Sequence, residues 1–575
     1  MRKQKLQVNV VLLLLMGFST IFRLQAATAD TVIYQSPLKI PISLSGNYAE
    51  LRGGRFHAGI DFRAYGKVGD PIYAAAEGYI ARVTVGSSGY GNGIYVTHSD
   101  GTQTVYGHLS RFTDAVVARV REEQYKKERF SVDLSFGIDE FPVAAGTLIG
   151  YVGNSGSSGA PHLHFEVRRP DQSGPLNPLR AGVVTVKDSK APEINHIRFV
   201  GYFEDSSGVA YTQEVASFRY GASGVIQLPE YSYLSIDAVD RQDGTPAKLG
   251  IEHYQVWVDD SLIYNYKVGE YLYHENKSYH ALIDYAAKQR GQGNCVKTWI
   301  EPGNEFVFRR ASMGENGLIH LEDDSEHQLR LLLTDEHGNA TERKFRIKRN
   351  LNKYEVCQRD LTERGDRGAW TAWFLPRWES RPGLQLGFLP GTFYRNVRVQ
   401  VEEVKATGVE YSSVWKIGDP EIALKRSAHL MIQVQAPDSL ASKLVLGRLS
   451  DKGKWVACGG KLIGDTLVAS IGSFGTYAVL ADTQAPMIKA RFKQGADLRR
   501  KSQCAWTIKD ELTGIWDWTV KIDGKWVIAQ FDAKNHKLWV ELDPEVVERG
   551  KRHVVEVFVW DGRQNLAHQQ YDIIW

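Results

Sequence analysis

Between residues 72 and 168, apolar positions alternate with polar ones in short runs: Ile72–Ala75, Gly78–Val85, Gly93–His98, Thr102–His108, Thr147–Val152 and His162–Arg168. A pleated strand sends successive side chains to opposite faces, so each run predicts a strand. Glycines punctuate the gaps and predict turns. The region reads as all-β. One stretch breaks the pattern: Phe112, Val116, Val120 and either Gln124 or Tyr125 recur at helical spacing, opposite Arg119, Glu123 and Lys126. That predicts a helix in the first part of an insertion spanning about 112–139.

Beyond Asn177 strands and polar turns continue to the end of the chain. Ala191-Pro192-Glu193-Ile194 opens one unit and Ala485-Pro486-Met487-Ile488 opens another. The strand-like run His327–Asp335 leads into Glu336-His337-Gly338-Asn339, and Val554–Asp561 leads into Gly562-Arg563-Gln564-Asn565. The shared A-P-x-I opening and the shared D-x-x-x-N turn predict a diverged repeat. Strands at this spacing suit β-sandwiches of immunoglobulin-like type at 188–350 and 483–575. Between them, 351–482 is a β-rich region of open type, with Trp370, Trp373 and Trp378 near its start and Ser473–Tyr477 at its close.

Length adds a domain count: 575 residues at roughly 150 per domain predict about four domains. A net charge of +3 without a long basic run gives no reason to expect nucleic acid. The basic cluster Arg343–Arg349 alternates with Phe345 and Ile347 and reads as the solvated face of a strand. Arg2, Lys3 and Lys5 precede an apolar run from Val8 to Phe18, and Ala27-Thr28-Ala29 offers a small-residue cleavage site. This is the pattern of a secretory signal peptide over 1–29, which places the mature protein in the periplasm, the cell envelope or outside the cell. The run is too short to span a bilayer and no later one reaches about 18 apolar residues, so no membrane span is expected once the signal is removed. The leader holds no cysteine, which argues against a lipoprotein. Cys295, Cys357, Cys458 and Cys504 are too scattered for a disulfide framework and read as buried thiols.

The candidate chemistry lies in four pieces of the first β region: Arg55–Asp61 (RFHAGID), Gly89–Gly101 (GYGNGIYVTHSDG), Val105–Ser110 (VYGHLS) and Pro161–Arg168 (PHLHFEVR), the last preceded by the Gly/Ser loop Gly153–Gly159. The i, i+2 spacing of His162 and His164 puts both imidazoles on one side of a strand, where they can share a metal site. No HExxH occurs, so the glutamate base of that protease class is absent.

In order and context these pieces, across about 46–177, resemble the lysostaphin/LytM family of zinc metallopeptidases. The resemblance implies a compact antiparallel β fold of the duplicated hybrid motif type with one Zn²⁺ in a groove. It implies that His57, Asp61 and His164 are the metal ligands and that His108 and His162 are the catalytic histidines. That donor set suits a catalytic zinc, which takes imidazole nitrogen and carboxylate oxygen and keeps a position for water. Uncoordinated histidines can move the proton or hold the oxyanion; His162 is read as the general base, with His108 on the oxyanion or the leaving amine. Glu166 reads as a carboxylate behind the ligands.

The function implied is a secreted endopeptidase cutting the stem-peptide cross-links of bacterial peptidoglycan. The alternative is a non-catalytic or autoinhibited regulator that binds other cell-wall hydrolases or division proteins. The insertion, leaving the chain just after His108, either edges the groove or stands clear of it. Trp516, Trp518 and Trp526, with Trp370, Trp373 and Trp378, could stack on sugars, although half-buried tryptophans are ordinary in sandwich domains.

Overall fold

The computed structural model describes residues 32–219, 221, 223–305, 316–355, 359 and 368–575. The leader expected at 1–29 and Cys357 lie outside them. The chain is all-β, with few and short helices. Around the histidines the elements are β1 (Leu44–Gly46), β2 (Ile60–Arg63), β3 (Gly78–Val85), β4 (Gly93–Thr97), β5 (Gln103–Gly107), α1 (Asp114–Lys127), β6 (Val132–Ser135) and β7 (His162–Arg168). They form one antiparallel sheet in the order β1-β2-β7-β5-β4-β3-β6, with short strands adding at β3 and β7.

Register does the assembling. β7 runs between β2 and β5, and His164 is paired with Asp61 on one side and with Gly107 on the other. Leu163, Phe165 and Val167 are buried on the opposite face with Ile60, Phe62 and Tyr106. A slip of one residue would send the histidines into that core, so the apolar alternation fixes which side the imidazoles occupy. A second, three-stranded sheet of Pro71–Tyr73, Leu148–Tyr151 and Arg111–Phe112 completes this unit.

The insertion helix forms as its spacing predicts, with Val116, Val120 and Gln124 buried, while Phe112 belongs to the short strand before it. Glu123, expected on the polar face, is buried and paired with Lys127 at 2.8 Å and Arg119 at 3.6 Å. The helix faces the last sheet pair: Arg121 meets Asp543 at 2.9 Å, Tyr125 packs perpendicular to Trp526 at 5.3 Å, and Phe130 lies 6.2 Å from Trp518. Two of the six tryptophans considered for sugar stacking are therefore packing partners of the insertion, and Trp370, Trp378 and Trp516 are exposed.

Three further sheet pairs follow. Two five-stranded sheets lie within 193–349, two more within 377–481, and a four- and a five-stranded sheet within 487–574. The first pair shares one continuous core with the histidine-bearing unit; the other two have cores of their own. Phe345 and Ile347 are buried while Lys344 and Arg346 are exposed, as alternation requires. Both D-x-x-x-N turns adopt one form: Asp335 Oδ1 accepts the N–H groups of His337 and Asn339, and Asp561 Oδ1 those of Arg563 and Asn565. Cys295 and Cys504 are buried thiols, as expected, but Cys458 is exposed. No helix among the described residues is long and apolar enough to cross a membrane.

Candidate metal centre

His57 and Asp61 reach β7 across Gly59. A Cβ on Gly59 would stand 2.0 Å from the Phe165 carbonyl oxygen, so only glycine lets this turn lie against β7. His57 Nδ1 donates to the Asn47 carbonyl at 2.8 Å, leaving Nε2 as a bare acceptor. That Nε2 lies 3.0 Å from His164 Nδ1 and 3.2 Å from Asp61 Oδ1, and His164 Nδ1 lies 2.9 Å from the same oxygen. Two imidazole nitrogens and one carboxylate oxygen thus converge in a buried position that can hold a metal ion. This donor set fits zinc.

His108 and His162 flank the convergence. His108 follows β5 with φ 65°, in the left-handed region, and its N–H is tied to the Tyr90 carbonyl at 2.8 Å. Such a conformation costs a non-glycine residue about 1–3 kcal/mol and is found where surrounding structure over-determines it. His108 Nδ1 donates to the Ser155 carbonyl at 2.9 Å, and His162 Nδ1 to the Ala160 carbonyl at 2.8 Å. Both rings therefore carry a free Nε2. His162 Nε2 is buried, lacks a hydrogen-bond partner among the described residues, and lies 3.4 Å from Asp61 Oδ1. The two ring centroids are 4.8 Å apart. The Gly/Ser loop that supplies these acceptors is clasped by the Gly89–Gly101 piece, through Ser157 Oγ on Gly89 N–H at 3.0 Å and Ser155 Oγ on Asn92 N–H at 2.9 Å.

A second layer fixes the ligands. Fully buried Glu166 accepts from His164 Nε2 at 2.8 Å, Arg168 Nε at 2.7 Å, the Tyr273 hydroxyl at 3.4 Å and the Tyr90 hydroxyl. Arg52 Nη2 lies 2.5 Å from Asp61 Oδ2 and so turns Oδ1 toward the histidines. Burial alone would raise both acids. Instead Arg168 and His164 hold Glu166 at about 2, and the three surrounding histidines hold Asp61 well below the usual carboxylate range. Burial would lower His164, but its bonds to Asp61 and Glu166 raise it to about 9. His108 is pushed down to about 3, by burial first and then by its histidine neighbours.

All five histidine and aspartate positions expected from sequence meet here. Arg52, Tyr90, Arg168 and Tyr273 were not anticipated. The continuation of the H-x-H alternation into Glu166 and Arg168 was a signal for Arg168. Tyr273 comes from a different sheet pair, 107 residues beyond Glu166, and left no local signal. Its segment packs against the layer behind the ligands, with Tyr271 buried and its hydroxyl donating to the Phe56 carbonyl at 3.3 Å.

The antiparallel sheet thus bears a His-Asp-His donor set that can hold a metal ion, with two further histidines beside it. Comparison with known proteins agrees. Residues 55–125 match peptidase family M23 and residues 373–482 match the Zu5-like domain, which gives a type to the region left open by sequence. The DD-carboxypeptidase/endopeptidase Mpg of Neisseria meningitidis serogroup B is 34% identical over 137 residues, covering 24% of this chain and 25% of that protein. The glycyl-glycine endopeptidase ALE-1 of Staphylococcus capitis is 28% identical over 184 residues, covering 31% and 42%. Lipoprotein NlpD of Yersinia enterocolitica is 32% identical over 115 residues, covering 20% of this chain and 92% of that protein. The chain belongs to peptidase family M23, of lysostaphin/LytM type. It spans only about a quarter of the length of the Neisseria relative.

Proposed function

We propose that this protein is an exported, zinc-dependent endopeptidase that hydrolyses peptide cross-links of bacterial peptidoglycan. His57, Asp61 and His164 hold the metal, and His108 and His162 handle protons. The observation that carries this reading is the convergence of three ligand atoms within 3.2 Å beside the unpartnered Nε2 of His162. When bound, zinc supplies a Lewis acid and lowers the pKa of a water toward about 7.

His162, whose Nδ1 faces the Ala160 carbonyl and whose Nε2 faces the site, takes the proton of the attacking water and returns it to the leaving amine. His108 enters as an acceptor, because its own proton is committed to the Ser155 carbonyl. To stabilise an oxyanion or protonate the amine it must first gain a proton at Nε2, which burial beside two histidines disfavours. Glu166 keeps His164 Nδ1 facing the metal position by holding the proton on Nε2. With this reading go a peptidase unit at 30–187 and immunoglobulin-like sandwiches at 188–350 and 483–575 around the Zu5-like region.

The test is digestion of purified sacculi and defined cross-linked muropeptides, with and without a zinc chelator, reading new termini by mass spectrometry. Chelator-sensitive release of cross-link fragments is expected, and the termini name the bond, a D-Ala to diaminopimelate link or a glycine bridge. No cleavage with one equivalent of zinc bound would overturn catalysis in favour of a regulator of other wall hydrolases.

A further inference from the structure

Of the three tryptophans near the start of the 351–482 region, two are committed within the chain. Trp370 donates its indole N–H to the Ser207 carbonyl at 3.1 Å, and Trp373 packs on the core of its own sheet pair. Trp378 differs from both. It lies on Arg377–Arg381, the edge strand of a five-stranded sheet, and is 53% exposed.

Register determines where its ring goes. Trp378 is paired with Gly387, and Gly387 with His429, so a tryptophan, a glycine and a histidine stand in one row across three strands. The alternate residues Leu386, Phe388, Ala428 and Leu430 are buried in the core, which sends this row to the outer face. A Cβ on Gly387 would stand 2.6, 2.7 and 2.9 Å from three consecutive carbons of the indole six-membered ring. Near-equal distances of this kind arise when a ring lies face down, since an edge-on ring would bring one atom much nearer than its neighbours. Gly387 is therefore the seat of the indole, whose other face is turned to solvent.

The row has the form of a ledge. The His429 ring is parallel to the indole within 20° at 6.4 Å between centroids, so it continues the surface sideways. Exposed Ser380 and Gln385, paired with each other, form the next row of the same face, and exposed Ser470 is paired with His429. A flat, electron-rich aromatic face edged by hydroxyls and an amide complements a pyranose ring. β-Linked sugars carry axial C–H groups on a flat apolar face, which meet the negative ring face, and polar substituents around the rim, which meet Ser380 and Gln385.

We propose that the outer face around Trp378 binds the β-linked amino-sugar strand of peptidoglycan and so holds the wall while the histidine-bearing unit works on its peptides. The choice of this glycan rests on the activity proposed above, whereas the platform itself rests on the ring geometry.

The experiment uses the full chain and glycan strands freed of their stem peptides. An endopeptidase cannot cut these, so binding is read apart from catalysis. Cello-oligosaccharides and free stem peptides are the comparison ligands. Calorimetry gives affinity, and mild tryptophan oxidation followed by peptide mapping locates the site on the unaltered chain. Expected is binding of the strands with protection of Trp378 but not of Trp516, which is also exposed. Trp378→Ala should weaken binding about tenfold, and Trp378→Phe less. Gly387→Ala should weaken it as well, because the indole must lift from its seat. Cleavage of soluble muropeptides should be unchanged in all three variants. Strand binding without any cleavage would strike the peptidase reading and leave this site standing. Failure of the strands to protect Trp378, equal affinity in Trp378→Ala, or preference for cello-oligosaccharides or stem peptides overturns the proposal.

Discussion

Lys534 Nζ donates to the Ser158 carbonyl at 2.9 Å, although 376 residues separate them in the chain. The same ammonium reaches the carbonyls of Asn154 at 2.5 Å and Gly156 at 3.3 Å. These belong to the loop whose Ser155 and Ala160 carbonyls orient His108 and His162. The last sheet pair, which also packs on the insertion helix, is therefore part of the frame of the site.

Lys534→Ala should free that loop without touching a metal ligand. Small displacements of catalytic groups cost rate rather than binding, so kcat should fall by about tenfold or more with KM and metal content little changed. Lys534→Arg should retain most of the rate. Hydrogen exchange over 153–160 gives a second readout, and unchanged protection together with unchanged kcat in Lys534→Ala would remove the loop from the argument.

The two histidines of β7 should separate cleanly. His162→Ala should keep its zinc and lose about 10²–10⁴-fold in turnover, the usual contribution of a positioned acid–base group. His164→Ala should lose metal and activity together. Metal analysis with kinetics on both variants decides the assignment; wild-type rates in metal-replete His162→Ala would end its role as base.

Glu166→Gln tests the layer behind the ligands. Gln removes the charge that faces both Arg168 and His164, and loss of such a partner typically weakens metal binding about 10–100-fold. Tyr273→Phe removes only a long contact of 3.4 Å and should have a much smaller effect. Competition with a metal chelator measures both.

The legible part of this protein was local. Alternation in Gly78–Val85 and His162–Arg168 predicted those strands at their observed bounds, and the i, i+2 histidines came out on one face because Leu163, Phe165 and Val167 needed the other. What the sequence could not show was contact between distant segments. Arg52 reaches Asp61 from a two-residue strand, Leu51–Arg52, hairpinned on Arg55–Phe56, Tyr273 comes to Glu166 from a separate sheet pair, and Lys534 comes from the last unit. The insertion was read against the groove or against solvent; its partners proved to be Asp543, Trp526 and Trp518. Such pairings depend on how packed units dock, which periodicity within one strand or helix does not encode.

The metal-free centre should be pH-sensitive in two directions. His164 is raised to about 9 in the folded chain, so its stabilising contribution is complete below its unfolded value of about 6.5 and is lost as pH rises through about 9. Glu166 is depressed to about 2, so its contribution is complete above about 4.5 and is lost as pH falls toward about 2. Denaturant midpoints of the metal-free protein should therefore be highest between about pH 4.5 and 6.5 as far as these two groups govern them. Metal binding requires neutral His164, so displacing its proton should make apparent zinc affinity rise about tenfold per pH unit toward about 9 and then level off. Chelator competition from pH 6 to 9 follows this directly. Glu166→Gln removes one of the two carboxylates that raise His164, and should move the levelling point to lower pH; an affinity flat with pH in both proteins would contradict the proton placement on which the proposed ligand set rests.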